Sequence, residues 1–187
     1  MKRRDLLLSL AAGAGVLVGK HPASGAGSYS IMPDMAANDL ANELNSPSTK
    51  TLFAVFKLSE DMSRITLERK YPETDAEKRD VAAISASDKT LAQSFEKKIW
   101  PVAQSAITSA ESRYVVVKAS GVDKSGAVKK ATLFFVWNPD AAPTKQKMLI
   151  LSAKNSLRNR LQVDIDVQAA VPAEFSLAKA RSTLGIQ

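Results

Sequence analysis

Two apolar segments joined by a short polar stretch constrain the fold of this chain more than any other feature. Residues 113–119 read RYVVVKA, an almost continuous apolar run, and residues 130–137 read KATLFFVW. A strand that is apolar at successive positions is typical of a sheet covered on both faces. The intervening residues 120–126 read SGVDKSG and predict a glycine-containing turn. The sequence therefore predicts a hairpin within a sheet that is flanked by helices.

Hydrophobic periodicity predicts further helices and strands around this hairpin. Asp34 is placed to cap the first helix, and the helix that follows Ser87 directs Leu91, Phe95 and Ile99 inward. Helices are predicted at residues 34–45, from 87 onward, at 143–161 and at 172–183. Strands are predicted at residues 51–58, 64–69 and 162–169, and a polar loop at 72–87. This order predicts an α+β domain with a mostly antiparallel sheet.

The chain lacks the side chains that most catalytic and metal sites need. It has no cysteine and a single histidine, His21. These counts argue against disulfides, thiolate metal sites, cysteine nucleophiles and histidine-based triads, and no glycine-rich phosphate loop occurs. Glu60 and Asp61 are predicted to lie in a turn rather than to form an acid–base pair. We expect no enzymatic activity, no catalytic residue, no bound metal and no cofactor.

A basic charge balance limits the classes of partner. The formal net charge is +7, which favours nucleic acid, anionic lipid or an acidic protein without choosing among them. Trp100 and Trp137 are expected in or near the core, outside any array of aromatic and basic side chains that would stack nucleobases. Nucleic acid is therefore not the expected partner, although a basic module that binds phosphoinositides or nucleic acid stays open as an alternative.

The first residues resemble a targeting segment. Residues 1–20 read MKRRDLLLSLAAGAGVLVGK, in which three basic residues precede a short apolar stretch. This order is typical of a secretory signal, and the pair Arg3-Arg4 resembles a twin-arginine signal. Residues 24–26 (SGA) would serve as a cleavage site. Residues 1–22 are therefore interpreted as an extension or targeting-like segment, which leaves export or organelle targeting as an alternative to a cytoplasmic protein.

The predicted helix at residues 143–161 combines a basic face with an apolar one. Its sequence, PTKQKMLILSAKNSLRNRL, holds five basic residues and no acidic one. At about 100° per residue, Lys147, Lys154 and Arg158 fall within roughly 40° of one another, with Leu151 beside them. Ile150, Leu157 and Leu161 form a neighbouring stripe that predicts the core side. Such a face is typical of a solvated helix surface, and it also suits docking on an acidic protein.

The segment at residues 136–161 resembles the signature of the actin-depolymerising factor (ADF)/cofilin family. VWNPDAAPTKQKMLILSAKNSLRNRL contains a Trp-x-Pro-Asp-x-Ala-Pro strand end, a Lys-Met pair, a small-residue run and a basic-leucine helix end. The matching positions are Trp137, Pro139, Asp140, Ala142, Pro143, Lys145, Lys147, Met148, Lys154, Leu157, Arg158 and Leu161. Weaker similarity extends the resemblance over residues 23–185, so residues 23–187 are interpreted as one domain of this family.

This resemblance implies a fold and a partner. The family has a mixed, mainly antiparallel central sheet of about five strands flanked by helices. Its members bind actin monomers and filaments, and they sever and depolymerise filaments without covalent chemistry. By position, the implied monomer-binding residues are Ser24, Gly25, Lys145, Lys147, Met148, Lys154 and Arg158. The implied filament-binding residues are Lys124, Lys129, Lys130, Lys179 and Arg181.

The resemblance also implies how the protein would be regulated. The family's basic patches bind phosphoinositides in competition with actin, and the expected protein is a monomer of the cytoplasm and actin cytoskeleton. Ser24 stands where the family is phosphorylated, and a phosphate there would add about −1.5 to −2 charges beside the contact. Ile150 and Leu151 stand where a tyrosine usually opens the small-residue run, and Asn155 replaces an aspartate. These departures favour monomer binding over efficient severing, and an exported protein with a redirected fold remains the other alternative.

Overall fold

A mixed sheet of six strands forms the centre of the part of the chain that the structure describes. The computed structural model describes residues 30–107 and 110–184. The strands are β1 (Met32–Pro33), β2 (Phe53–Leu58), β3 (Arg64–Tyr71), β4 (Arg113–Val122), β5 (Val128–Trp137) and β6 (Ile165–Ala169). They lie in the order β1-β3-β2-β4-β5-β6, and only the outer pairs β1–β3 and β5–β6 are parallel. The predicted mixed, mainly antiparallel sheet is confirmed. The strand count exceeds the predicted one, and the two-residue β1 is too short to show periodicity.

The predicted hairpin is present, and its turn lies closer to the second strand than expected. Arg113 pairs with Trp137 at one end, and Val122 pairs with Val128 at the other. The turn therefore begins later along the chain than the predicted range of residues 120–126, because β4 continues to Val122. The Asp123 N–H donates to the carbonyl of Ala127 over 2.9 Å. Gly126 has a φ of +82°, a conformation that is open to glycine because it has no Cβ.

Helices cover both faces of the sheet. They are α1 (Met35–Asn45), α2 (Asp75–Ile84), α3 (Asp88–Ser94), α4 (Trp100–Ser105), α5 (Thr144–Arg158) and α6 (Leu177–Leu184). The predicted cap of α1 is confirmed, because the Asp34 carboxylate accepts from the N–H of Ala37 over 2.8 Å. The last helix begins later than predicted. The preceding turn is closed by the Ala170 N–H, which donates to the Glu174 carboxylate over 2.8 Å.

The prediction of a loop at residues 72–87 was wrong, because α2 lies within it. Thr74 and Glu77 form a capping box in which each side chain accepts from the other residue's backbone N–H. This Thr-x-x-Glu spacing was present in the sequence and is a known sign of a helix start. The segment is polar because α2 buries only Val81 and Ile84 among its side chains, so its apolar stripe was too narrow to recognise.

Two hydrophobic cores lie on opposite faces of the sheet. One core contains buried side chains of β4 and β5 such as Val115 and Phe135, together with residues of α2, α3, α4 and α6. The other contains Tyr114 and Phe134 from the same strands, with residues of α1 and α5. Neighbouring strand residues therefore enter different cores. The predicted burial of β4 on both faces is confirmed, and this burial explains its continuous apolar run.

A π-helical turn joins α3 to α4 and places one of the tryptophans in the core. The turn spans Phe95–Ile99, and the N–H of Trp100 donates to the carbonyl of Phe95. Trp100 is 5% exposed and Trp137 is 2% exposed, so both core predictions are confirmed. The Trp100 ring stacks on that of Phe175 with a centroid distance of 4.9 Å. This contact fixes the segment that leads into α6.

Candidate functional site

The helix α5 presents one face to the core and the other to solvent. Ile150 and Leu157 are fully buried and Leu161 is 7% exposed, so the predicted core stripe is confirmed. The Tyr114 hydroxyl donates to the carbonyl of Ile150 in a short hydrogen bond that joins β4 to the middle of the helix. Burial raises the pKa of this hydroxyl well above its ordinary value. The buried side thus fixes the orientation of the exposed one.

The loop before α5 is held by side-chain hydrogen bonds to the sheet. The Ser112 hydroxyl donates to the Asn138 side-chain oxygen over 2.7 Å, and the Ser112 N–H donates to the Gln146 side-chain oxygen over 3.1 Å. The Asn138 N–H donates to the carbonyl of Ala169 in β6 over 2.8 Å. The first turn of α5 is therefore fixed relative to the ends of β4, β5 and β6.

Two lysines occupy the start of α5, where positive charge is unfavourable. Lys145 and Lys147 lie near the positive end of the helix dipole, the first turn carries no acidic residue, and Pro143 provides no side-chain cap. Lys145 is exposed and makes no ion pair with the residues that the structure describes. Lys147 lies 3.4 Å from the carbonyl oxygen of Asp140 and 4.0 Å from its carboxylate. This arrangement opposes helix stability, which favours a role in binding.

Apolar side chains lie on the exposed face beside these lysines. Met148 is 68% exposed and Leu151 is 42% exposed. Met148 follows Lys147 directly, and Leu151 lies one turn beyond it. A cationic rim beside an adaptable apolar side chain is suited to a partner that has an acidic edge and an apolar cleft.

The basic residues farther along α5 are held by an acidic residue of β6. The Lys154 ammonium and the Arg158 guanidinium lie 3.0 Å and 3.1 Å from the same carboxylate oxygen of Asp166. Lys154 is 21% exposed and Arg158 is 40% exposed. The predicted clustering of these two residues is confirmed, but Asp166 partly neutralises them. This partner was not predicted, because only the packing of α5 beside β6 brings it within reach.

Two exposed methionines, in the edge strand β1 and at the start of α1, were not predicted from the sequence. Met32 in β1 is 42% exposed and Met35 at the start of α1 is 80% exposed. The segment before β1 is joined to α5, because the Ser156 hydroxyl lies 2.6 Å from the carbonyl oxygen of Ile31. An apolar residue directly after the Asp34 cap was the only signal in the sequence.

A second group of basic residues surrounds the hairpin turn and α6. Lys124, Lys129 and Lys130 are exposed, and Lys179 is exposed on α6. Lys129 lies 3.9 Å from the carboxylate of Asp123, and Lys130 lies 2.9 Å from that of Asp88. Arg181 of α6 lines a cavity of about 300 Å³ with Val122 and Asp123. The structure therefore places the end of β4 and Arg181 of α6 at one cavity, and the filament-binding role of this group stays a prediction.

Arg181 is much less accessible than the lysines of this group. Its side chain is 13% exposed and forms an ion pair with Glu96. Its Nε atom is buried and has no hydrogen-bond partner among the residues that the structure describes. The guanidinium is therefore directed mainly toward the protein, and its contribution to a surface contact depends on release from Glu96.

Part of the predicted site lies outside the described residues. Ser24 and Gly25, together with His21, the signal-like segment at residues 1–20 and the cleavage site at 24–26, are in this group. Within residues 30–107 and 110–184, no cluster of three or more acidic or histidine side chains is arranged to hold a metal ion. No helix in the same part of the chain is long and apolar enough to cross a membrane.

Comparison with protein families matches most of the chain. Residues 32–184 match the model of the cofilin/tropomyosin-type actin-binding proteins. The chain belongs to this family. Actin-depolymerizing factor 9 of Oryza sativa subsp. japonica is 38% identical over 68 residues, which are 36% of this chain and 49% of the relative. Actin-depolymerizing factor 1 of Zea mays is 36% identical over 73 residues, 38% of this chain and 52% of the relative. The chain thus spans about half the length of these curated relatives.

Solved structures of cofilin-like proteins share the fold over most of the chain. Streptomyces griseoflavus cofilin has a TM-score of 0.57 at 18% identity, and the match covers 82% of this chain and 96% of that one. Plasmodium berghei actin depolymerization factor 2 has a TM-score of 0.59 at 13% identity, covering 83% of this chain and 96% of the other. The predicted family and α+β fold class are confirmed.

Proposed function

We propose that this protein binds actin through the exposed face of α5 and promotes the disassembly of actin filaments. In the first turn of α5, Lys145 and Lys147 lie near the positive end of the helix dipole, beside the exposed Met148. This placement is the main support for actin binding by α5. The named activity of the plant relatives supports the same partner. The work is done by binding, because a ligand that prefers one filament conformation shifts the population toward it.

The monomer-binding contact is assigned to Lys145, Lys147 and Met148, with Lys154 and Arg158 farther along the helix. The lysines would meet acidic side chains of actin, and Met148 would enter an apolar cleft. Lys154 and Arg158 contribute less charge than their number implies, because Asp166 accepts from both. Ser24 and Gly25, and regulation by phosphorylation at Ser24, remain predictions.

Filament contact is assigned to the second basic group, which consists of Lys124, Lys129, Lys130, Lys179 and Arg181. Because Arg181 is bound to Glu96, the exposed lysines would provide most of this contact. We expect the protein to bind actin monomers but to sever filaments inefficiently, because Ile150, Leu151 and Asn155 depart from the family pattern. Phosphoinositides would compete at the same basic surfaces, and the protein would act as a monomer in the cytoplasm.

Titration of monomeric actin with a charge-matched pair of variants tests the monomer-binding assignment. Lys145→Ala with Lys147→Ala should abolish binding to actin monomers without unfolding the protein, since Lys145 is exposed and Lys147 is half-buried with only long contacts to Asp140. Lys97→Ala with Lys98→Ala removes the same charge from exposed positions of the π-helical turn, and this control should bind like the wild type. Equal binding by both variants would contradict the assignment to α5.

The severing activity and the role of the N-terminal residues need a separate measurement. Single filaments should shorten by severing in the presence of the full chain, and a chain that begins at Ala23 shows what residues 1–22 contribute. Absence of any effect on actin from either chain would contradict the proposed function. It would leave an exported or lipid-binding protein with the same fold.

A further inference from the structure

A cavity of about 450 Å³ lies where the central hairpin extends beyond its neighbouring strands. The pairing of β2 with β4 begins at Phe53 and Val117, and the pairing of β6 with β5 begins at Leu133 and Ile165. Each side ends in one more backbone hydrogen bond, from the Lys118 N–H to the Leu52 carbonyl and from the Asp164 N–H to the Thr132 carbonyl. Beyond these bonds β4 and β5 have no neighbouring strand, and they form the floor of the cavity. Its walls are the residues after α1, including Pro47, and the segment at residues 162–164.

Lys118 lies on this floor, and its ammonium group forms no ion pair with the residues that the structure describes. Its ammonium donates to the Thr132 hydroxyl over 2.8 Å, its only side-chain hydrogen bond within the described part of the chain. Burial lowers the pKa of Lys118, and the nearby charge of Asp164 opposes this effect. The Asp164 carboxylate itself accepts from the backbone N–H of Thr132 over 2.7 Å. The remaining ammonium protons are thus available to another acceptor in the cavity.

Two hydroxyl groups lie beside this ammonium. Ser120 is two residues along β4 from Lys118, on the same face of the strand. It is 4% exposed, and its hydroxyl has no hydrogen-bond partner among the residues that the structure describes. The Thr132 oxygen accepts from Lys118, so its own proton is available for donation. The Ser120 oxygen keeps contact with solvent, so its hydroxyl is available to a ligand in the cavity.

The cavity lining carries two lysines, Lys118 and Lys130, and one acidic residue, Asp164. Lys130 lines the cavity and is paired with Asp88 at 2.9 Å, but its side chain is 57% exposed and can turn toward a ligand. Thr51 does not compete as a donor, because its hydroxyl donates to Glu43. Of the apolar lining residues, Val163 packs with the core on the Lys118 side of the sheet, whereas Leu52 and Ala119 belong to the core on the opposite face. The site therefore combines donors on one face of the sheet with an apolar edge at Val163.

We propose that this cavity binds the phosphate group of a small phosphate monoester through Lys118, Ser120 and Thr132. Three separate donors fit the peripheral oxygens of a tetrahedral anion, and Lys130 supplies a second positive charge at the opening. The cavity exceeds the size of inorganic phosphate and leaves room for a small organic group against its apolar edge. The site lies beyond the C-terminal end of α5 and shares only Lys130 with the second basic group, so its occupation does not depend on the face of α5 that is proposed to bind actin monomers.

Titration of the full chain with inorganic phosphate and with glycerol 3-phosphate tests the proposal. Amide NMR shifts at residues 118–120 and 130–132 report binding at the cavity, and calorimetry gives the affinity. Lys118→Met keeps the aliphatic length without a buried charge, and its melting temperature shows whether it folds. This variant should weaken binding by about tenfold or more, and Ser120→Ala should weaken it by a smaller factor. Lys98→Met, which removes an exposed charge elsewhere, is the matched control and should bind normally.

Several outcomes would overturn the proposal. Binding that Lys98→Met weakens as much as Lys118→Met would show a general charge effect. Saturable shifts confined to residues 145–158 would place the anion on α5. A further experiment measures binding of the full chain to phosphatidylcholine vesicles with and without phosphatidylinositol 4,5-bisphosphate. Binding to these vesicles, without binding to either soluble phosphate, would show a membrane headgroup surface instead. Actin binding is measured in parallel, so failure of the phosphate site and failure of the actin assignment are distinguishable.

Discussion

Lys145 illustrates how a single residue can oppose local stability and serve binding. It occupies the second position of α5, where the backbone N–H groups already carry partial positive charge. Lys89 occupies the corresponding second position of α3, which is capped by Ser87, and it is also exposed. The two lysines share helix position and exposure, but α3 has the Ser87 cap and the acidic Asp88 in its first turn, whereas α5 has neither.

This pair yields a prediction with a matched control. Lys145→Glu should raise the free energy of unfolding by about 0.5 kcal/mol because it reverses an unfavourable interaction with the helix dipole. The same substitution should abolish actin binding. Lys89→Glu should stabilise α3 by a smaller amount, because Asp88 already places negative charge in that first turn, and it should leave actin binding unchanged. Urea unfolding and co-sedimentation measure both effects, and a Lys145→Glu variant that still binds actin normally would contradict the site.

At the scale of secondary-structure elements, Asp166 connects β6 to α5. Its carboxylate accepts from Lys154 and Arg158 through one oxygen, while its second oxygen is buried without a partner among the described residues. The pair is partly shielded from water, so it is worth more than an ion pair on an open surface. Asp166 therefore acts as a positioning residue for the basic part of the proposed actin-binding face.

Removal of this carboxylate charge should affect stability and binding together. Asp166→Asn should lower the free energy of unfolding by about 1 kcal/mol, because two cations lose their common acceptor. It should also weaken actin binding by a few-fold, because Lys154 and Arg158 lose their fixed positions and this loss outweighs the charge that Asp166 no longer neutralises. Asp88→Asn breaks the exposed pair with Lys130 and is the control, with little expected effect on stability. An unchanged actin affinity in Asp166→Asn would show that the ion pairs have only a structural role.

At the scale of the whole molecule, several surface carboxylates make stability depend on pH. Hydrogen bonds from Ser59 and Ser63 lower the pKa of Asp61 from its ordinary value of 3.8 to about 2. Hydrogen bonds also lower the pKa of Glu77, mainly from the Thr74 backbone, of Asp123, mainly from the Ser125 side chain, and of Glu174, mainly from the Ala170 backbone. These interactions exist only in the folded protein.

The sign of the pH effect follows from the lowered pKa values. The folded protein holds these protons less tightly than the unfolded chain, so stability is fully present above the ordinary values of 3.8 and 4.5 and is lost as the pH falls toward about 2. Urea unfolding between pH 6 and about 2.5 should show this loss. Asp61→Asn should make the dependence shallower, and an identical pH profile would contradict the role of its hydrogen bonds.

The sequence by itself determined the elements whose local signals agreed with their final environment. The continuous apolar run of β4 required cover on both faces, the spacing of Ile150, Leu157 and Leu161 gave the buried side of α5, and Asp34 marked the start of α1. The family signature at residues 136–161 could be read for the same reason, since it consists of consecutive residues. The helix α2 was missed although its capping box was visible, because its buried stripe is narrow.

Only the tertiary structure decided which distant residues meet. Asp166 and Arg158 lie on different elements, and their contact depends on how α5 packs beside β6. The sequence predicted Arg181 on the surface, but in the structure its side chain is mostly buried and forms an ion pair with Glu96. The cavity at Lys118 exists because the hairpin is longer than the strands beside it, which a strand pattern does not show. Local sequence fixes periodicity and caps, whereas the pairing of charges and the shape of cavities arise from strand register and helix packing across the whole chain.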